Sequence, residues 1–424
     1  MNRIEKLLQK FCPDGVEFKA LGEVWIKAEK SKFGVNQIKQ ILATQENGYK
    51  CFTSGIKSYF VSQFLVNGEY IFMNDGGFAD IKYYDGKAFY TDHTFCFTTT
   101  QINVKFLYYF LKMNQNLINS IYFQGTGLKN LNKNKIATFK IPIPPLEIQK
   151  EIVLILDAFT ELQAELQAEL QARQKQYEHY RERLLSFDKL ERRARLCASL
   201  RASEVSAAIQ NENIDCHEKS SDFSCNDAPT PLVKMMSLGE VCQCFAGGTP
   251  KTDRVEFWDN GTISWMSSGE VNKGTIYETE KKITQLGFDK SSTKMIPPNA
   301  VVLALAGQGK TRGMVARTKI SLCTIVPNET INYSFLYFYL KNQYMQLRQI
   351  SAGDGTRGGL NLKMVENFQI PIPPLKVQNE VVEILDKFDA LVNDISQGLP
   401  AEITARKKQY EHYREKLLNF KEKA

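Results

Sequence analysis

The sequence predicts a mixed α/β chain in which two similar globular domains are each followed by a long helix of coiled-coil character. Three observations carry this reading. The 424 residues exceed what one ordinary core accommodates. A long segment returns at a fixed offset, the signature of an internal repeat with pseudo-two-fold character. Downstream of each Pro-rich segment, apolar residues recur at the 3 and 4 steps of a helical seam.

The repeat sets the organisation. Ile141 to Phe159 returns as Ile370 to Phe388, an offset of 229 residues that also relates Phe106–Lys112 to Phe335–Lys341. Gln176 to Phe187 returns at Gln409 to Phe420 with an offset of 233, and Leu21-Gly-Glu-Val24 returns as Leu238-Gly-Glu-Val241. These limits divide the chain into a first globular domain at 1–140, a helix at 141–187, a linker at 188–237, a second globular domain at 238–369 and a distal helix at 370–424.

Each domain ends in Ile-Pro-Ile-Pro-Pro, at 141–145 and 370–374. Proline fixes φ and lacks a donor, so this strap is extended and cannot occupy a central strand. The helix after the first strap places Ile148, Ile152, Ile155, Phe159, Leu162, Leu166, Leu170, Tyr177, Tyr180, Leu184 and Phe187 along one seam. Within it Glu161-Leu-Gln-Ala164 is repeated at 165–168 and 169–172. Four residues nearly match one turn, so each copy changes the rod by about 6 Å and suits a molecular ruler. Gly398-Leu-Pro400 interrupts the distal helix, which restarts near Ala401. The linker reads as partly helical and partly flexible. Strand signals lie at Glu69–Met73 before Asn74-Asp-Gly-Gly77, at Lys82–Tyr84 before Asp85-Gly86, at Ile263–Trp265 after Asn260-Gly261, and at Ala300–Leu305.

Composition excludes several classes. Hydrophobic residues are 43% and charged residues 24%, as in ordinary globular proteins. No run of 18 apolar residues occurs and Met1–Lys6 has no signal-peptide core, which points to a soluble, cytoplasmic protein with no membrane partner. Nine scattered Cys suggest reduced thiols. Gly307-Gln-Gly-Lys-Thr311 lacks the phosphate-loop glycine, since position 304 is Ala304. Cys242 with Cys244, and Cys216, His217 and Cys225, lack paired zinc spacing. No cofactor, metal or catalytic residue is expected.

The net charge of +7 permits a polyanion partner, and the globular halves hold the excess. Residues 21–140 carry 14 Lys, no Arg and 8 acids. Forked and amide side chains read base edges, while Lys, Thr and Ser hold phosphates. Loops of the first half offer Thr53, Lys57, Asn74, His93, Thr126 and Lys129. Those of the second offer Thr249, Lys251, Ser267, Gln308, Lys310, Arg312, Thr356 and Arg357. Turn chemistry alone uses the same residue types, so the set carries more than any member. Trp258 and Trp265 suit core packing better than base stacking. The helix seams offer Phe159, Leu162, Tyr177, Tyr180 and Leu184, and Phe388, Leu391, Tyr410, Tyr413 and Leu417, as partner-docking residues.

Gly247-Gly-Thr-Pro-Lys-Thr252, Phe257-Trp-Asp-Asn-Gly-Thr-Ile-Ser-Trp265, the two Ile-Pro-Ile-Pro-Pro-Leu straps and the paired Gln-Tyr-Glu-His-Tyr-Arg-Glu endings together resemble the specificity subunits of type I restriction-modification systems. The resemblance covers nearly the whole chain. It implies two target-recognition domains joined by two antiparallel helices, each domain reading one half of a split DNA site. It also implies two modification subunits that methylate adenine, restriction subunits that translocate and cut, and no catalysis by this chain. A competing reading is a coiled-coil scaffold whose domains bind protein; a methyltransferase or endonuclease acting alone is disfavoured by the missing motifs.

Overall fold

Alternation along two long strands builds the first core. In Val66–Asn74, Ile71 and Met73 enter one buried cluster while Phe72, between them, enters another with Phe52 and Tyr90. Successive strand residues point to opposite faces, so both faces of this sheet are covered. The computed structural model describes residues 3–55, 59–127, 129–211, 231–295, 298–305, 311–320, 326–351, 359–394 and 396–423. These form two units, residues 1–168 with 401–424 and residues 169–400.

The first unit holds a six-stranded sheet in the order Ile26–Lys27, Thr94–Thr98, Val66–Asn74, Ile81–Tyr90, Tyr49–Phe52, Tyr59–Val61. All neighbours are antiparallel except Tyr49–Phe52 with Ile81–Tyr90. Asp85-Gly86, expected as a turn, lies inside Ile81–Tyr90 instead. Gly86 pairs with Gly68, and both have positive φ, +129° and +119°. Two facing glycines let the ladder bend without ending. The second unit has shorter strands: Thr275–Ile276, Val315–Thr318 and Val301–Leu303 form one sheet, and Ile263–Trp265 pairs with Lys281–Ile283. Its core surrounds the helix Tyr333–Asn342, in which Phe335, Leu336, Tyr337, Phe338 and Leu340 are fully buried.

The repeat is visible as matched construction. Each strap pairs antiparallel with one strand only, Lys140–Ile143 with Glu17–Ala20 and Gln369–Ile372 with Lys234–Ser237. Pro142 and Pro371 therefore need not donate to a third strand. Asn103 caps the helix Val104–Met113 by accepting from the Phe106 amide at 2.9 Å, and Asn332 caps Tyr333–Asn342 by accepting from Ser334 at 2.8 Å. Behind each cap lies a buried glutamine. Gln149 accepts from the Asn103 amide at 2.7 Å and donates to the Pro144 carbonyl at 2.7 Å. Gln378 accepts from Asn332 at 2.8 Å and donates to the Pro373 carbonyl at 2.7 Å.

Leu146–Leu184 is one 39-residue helix, close to the expected extent, and supplies residues 146–168 to the first unit and 169–184 to the second. Ile148, Ile152 and Leu156 are its fully buried positions in the first unit; Ile155, expected on the seam, is only partly buried beside them. The stretch read as a linker opens with the helix Phe187–Asn211, whose Leu190 and Ala194 enter the second core. Residues 212–230 lie outside the described residues. The distal helix is indeed two pieces, Leu375–Asn393 and Leu399–Leu418. Gly398 is required between them, since a Cβ there would lie 2.4 Å from the Ala390 carbonyl oxygen.

Removing either glutamine strands a buried N–H and a buried carbonyl, which costs roughly 1–3 kcal/mol per group. Gln149→Ala is expected to lower amide protection throughout the first unit and Gln378→Ala throughout the second, read by native-state hydrogen exchange. Loss confined to the few amides nearest the substitution would contradict this.

Candidate nucleic-acid interface

In the first unit the predicted loops meet at one end of the sheet. The Asp75 amide donates to the His93 carbonyl at 2.9 Å, its carbonyl accepts from Leu131 at 3.0 Å, and the Gly77 amide donates to the Lys129 carbonyl at 2.8 Å. The Asp92 amide donates to Phe33 at 2.9 Å, which brings the segment Lys30–Phe33 to the same end. His93, Thr126 and Lys129 are exposed there.

Two predicted contacts are instead spent on the fold. Asn74 is 2% exposed and its amide donates to the carbonyls of Ser54 and Phe78. Thr53 is 4% exposed and its hydroxyl accepts from the Gly55 amide at 3.2 Å. Both shape the turns rather than face outward. Lys57 lies outside the described residues.

Lysines near this end divide into paired and exposed. Lys133 binds Asp75 at 2.7 Å, and Lys82 and Lys112 bind Asp80 at 3.1 and 3.2 Å. Burial pushes the Asp80 carboxyl up, but hydrogen bonds and charge from Lys82 and Lys112 outweigh it and leave it below the usual carboxylate range. Lys30, Lys32 and Lys129 are exposed. Lys30 and Lys32 were not among the sequence candidates; the Lys-Ser-Lys-Phe run at 30–33, next to an aromatic anchor, was the available signal.

In the second unit two tryptophans fix the Gly247–Thr252 loop. The Trp265 indole N–H donates to the Gly248 carbonyl at 3.0 Å, and that of Trp258 to the Lys251 carbonyl at 3.1 Å. The rings meet edge to face at 5.1 Å and are half-buried, so they brace this loop rather than enter a core cluster, where the sequence placed them. Gly248 has no room for a side chain: a Cβ would lie 2.4 Å from Ser292 Oγ. Thr249 and Lys251 are thereby held exposed on a rigid loop. Beside them Thr252, Trp258, Lys281 and Lys282 line an open concavity of about 370 Å³, with the Lys281 ammonium 5.6 Å from the Trp258 ring. Lys281 and Lys282, adjacent on the short strand Lys281–Ile283, were not among the sequence candidates either.

Ser267, a predicted contact, caps the turn Ser268–Lys273. Its amide and hydroxyl both donate to Glu270, at 2.9 and 3.3 Å. Burial raises the Glu270 carboxyl, while the amides of Glu280 and Ser267 and the Lys273 ammonium lower it further, leaving it below its ordinary value. Arg312 is half-buried in the turn after Val301–Leu303. Gln308, Lys310, Thr356 and Arg357 lie outside the described residues.

The predicted docking rings face one another within each unit. Phe159 stacks on Tyr413 at 5.5 Å and meets Tyr410 at 6.2 Å; Phe388 stacks on Tyr180 at 5.2 Å and on Tyr177 at 6.5 Å. Tyr177 and Leu417 are 3% and 5% exposed. Leu162 and Leu184 are half-buried, and Leu391 and Tyr413 are the more open, at 37% and 38%.

The type I restriction modification DNA specificity domain matches this chain twice, at residues 13–173 and 232–405. The chain belongs to the type I restriction-modification specificity family. It is 32% identical over 332 residues to the EcoR124I/EcoR124II specificity subunit of Escherichia coli, covering 75% of this chain and 71% of that one. The type I restriction-modification S subunit from M. genitalium has the same fold, with TM-score 0.59, 17% identity and coverage of 95% and 96% of the two chains. A second type I system structure, solved for complex assembly and conformational transition, gives TM-score 0.52 at 16% identity over 96% and 98%. The chain is thus a DNA-specificity subunit; in type I systems the methyltransferase and nuclease activities reside in other subunits. No helix among the described residues is long and apolar enough to cross a membrane, and no group of described His, Cys, Asp or Glu could hold a metal.

Each phosphate contact contributes about 0.9 to the slope of log affinity against log salt. Lys32→Ala, Lys129→Ala and Lys281→Ala in the assembled complex are each expected to flatten that slope by about one contact. Asn74→Ala is expected to lower stability and leave the slope unchanged. Fluorescence anisotropy titrations between 50 and 200 mM salt, roughly the range over which such contacts weaken strongly, distinguish the two classes.

Proposed function

We propose that the two globular domains each read one half of a bipartite, asymmetric DNA target, and that the helices fix the gap and dock two modification subunits, with restriction subunits joining that complex in the cytoplasm. One observation carries the reading: the frame of strap, asparagine cap and buried glutamine is built twice at the same offset, whereas the loops it supports differ between halves. A repeated frame with different loops suits two different half-sites.

Direct contacts are assigned to His93, Thr126, Lys129, Thr249, Lys251 and Arg312, together with Lys57, Gln308, Lys310, Thr356 and Arg357 from the sequence pattern. Thr53, Asn74 and Ser267 support those loops from beneath. For docking, Phe159, Leu162, Tyr177, Tyr180, Leu184, Phe388, Tyr410 and Leu417 hold the helices together, and Leu391 and Tyr413 offer the more open surface. The Glu-Leu-Gln-Ala copies lie wholly within one unbroken helix, which supports their role as a ruler.

The test is adenine methylation mapped across the genome of cells expressing this chain with its modification subunit. A bipartite motif absent without the chain is expected. Deleting Glu161–Ala164 shortens the helix by about 6 Å, or one to two base pairs at roughly 3.4 Å each. The gap should shrink accordingly while both half-site sequences persist. Assembly without any new motif would instead favour a scaffold.

A further inference from the structure

The strands Val301–Leu303 and Val315–Thr318 flank the turn that presents Arg312, and from the second of them Arg317 reaches back to the helix Leu375–Asn393. Its side chain is 11% exposed and makes contacts on every side. One terminal nitrogen donates to Asp386 and to Ser334 Oγ at 3.2 Å, Nε donates to Thr275 Oγ1 at 3.0 Å, and the other terminal nitrogen lies 3.6 Å from Asp389. The guanidinium also covers the Tyr337 and Phe338 rings at 5.1 and 5.3 Å.

Asp389 is a junction in its own right. It accepts from the Tyr177 hydroxyl at 3.0 Å, Lys341 Nζ at 3.3 Å and Asn393 at 2.9 Å. Two strands, the helix Tyr333–Asn342 and both long helices therefore converge on one arginine and two carboxylates. The first unit is built differently. Asp157, the repeat equivalent of Asp386, takes its cation from Lys105 at 2.7 Å and a hydroxyl from Tyr109 at 2.6 Å, both on a helix. In the second unit the cation comes from the strand next to a recognition turn.

We propose that Arg317 is a positioning residue for DNA recognition: it locks the strand pair carrying Arg312 to the spacer helices, so that the second half-site is accepted at a single gap. This rests on the half-site reading above. A fork that spans two carboxylates resists rotation as well as separation, and Lys cannot reproduce it. One base pair of extra gap demands a shift of about 3.4 Å and a turn of roughly 35°, which a fixed domain base refuses and a loosened one follows.

The experiment uses the assembled complex with full-length chain, either parental or carrying Arg317→Met, Arg317→Lys or Asp386→Asn. Methyl transfer is measured on duplexes bearing the parental gap and gaps one base pair longer and shorter. For Arg317→Met the rate ratio of parental to altered gap should fall by about fivefold or more, with both half-site sequences still required. Arg317→Lys and Asp386→Asn should shift the ratio the same way by less. A merely structural role lowers all rates together and leaves the ratio unchanged, and that result overturns the proposal. If Arg317→Met does not assemble, an unchanged ratio in the two milder variants overturns it equally. A parental complex that methylates no bipartite site removes the half-site reading and this proposal with it; a bipartite parent with unaltered variant ratios removes this proposal alone.

Discussion

Everything in either unit hangs from a buried glutamine. The strap contributes prolines, which remove donors and leave carbonyls that must find partners in a dry environment. Gln149 and Gln378 satisfy the Pro144 and Pro373 carbonyls with their amide nitrogens and the amides of Asn103 and Asn332 with their oxygens. A glutamine suits the place because it is donor and acceptor at once and carries no charge to desolvate. Through it the end of the domain, the start of the long helix and the cap of the domain's principal helix become one rigid joint. The strap can then be short and proline-rich, since its direction is set by this joint rather than by strand pairing on both sides.

Each unit is completed by the other copy's helix. Phe159 belongs to the first copy and stacks on Tyr413 of the second; Phe388 belongs to the second and stacks on Tyr180 of the first. The backbone follows the same exchange. The Val16 amide donates to the Lys421 carbonyl at 2.8 Å, and that of its equivalent Val233 to the Glu191 carboxylate at 2.8 Å, in the segment after the first helix. The sequence repeat is consequently not the folding unit. A core that needs segments from both ends of the chain covers much of each helix seam by aromatic stacking, with rings at distances where such pairs add to area burial, and leaves Leu391 and Tyr413 the more open.

This exchange explains which parts of the fold and site were legible in the sequence. The offset of 229, the strap and the single helix through 146–184 follow from local chemistry: proline, periodicity and identity between halves. The seam residues were also recognisable, but not their partners, because periodicity gives a face and never its neighbour. Asp85-Gly86 misled because the same dipeptide serves a turn and a bent ladder, and only the facing Gly68 decides between them. Thr53 and Asn74 carry the groups a base contact needs, but amide and hydroxyl side chains look alike whether they bind a base or the backbone. Burial makes the distinction, and burial in a loop depends on what crosses it: Asn74 is covered because Ser54 and Phe78 close over it.

The missed lysines point to a second physical reason. A lysine in a loop is a phosphate contact only if no carboxylate claims it, and the claimants are distant in sequence. Lys133 is taken by Asp75, 58 residues away, and Lys112 by Asp80, 32 residues away. Pairing of this kind subtracts cations from the interior of the first domain's surplus and leaves exposed ones such as Lys30, Lys32 and Lys129 at the loop end of the sheet. The acids do the sorting: by holding particular lysines against the frame, they decide where the remaining positive charge is displayed. A modest net charge thus becomes a directed one, and the frame that is identical in both halves supports surfaces whose charge is arranged separately in each.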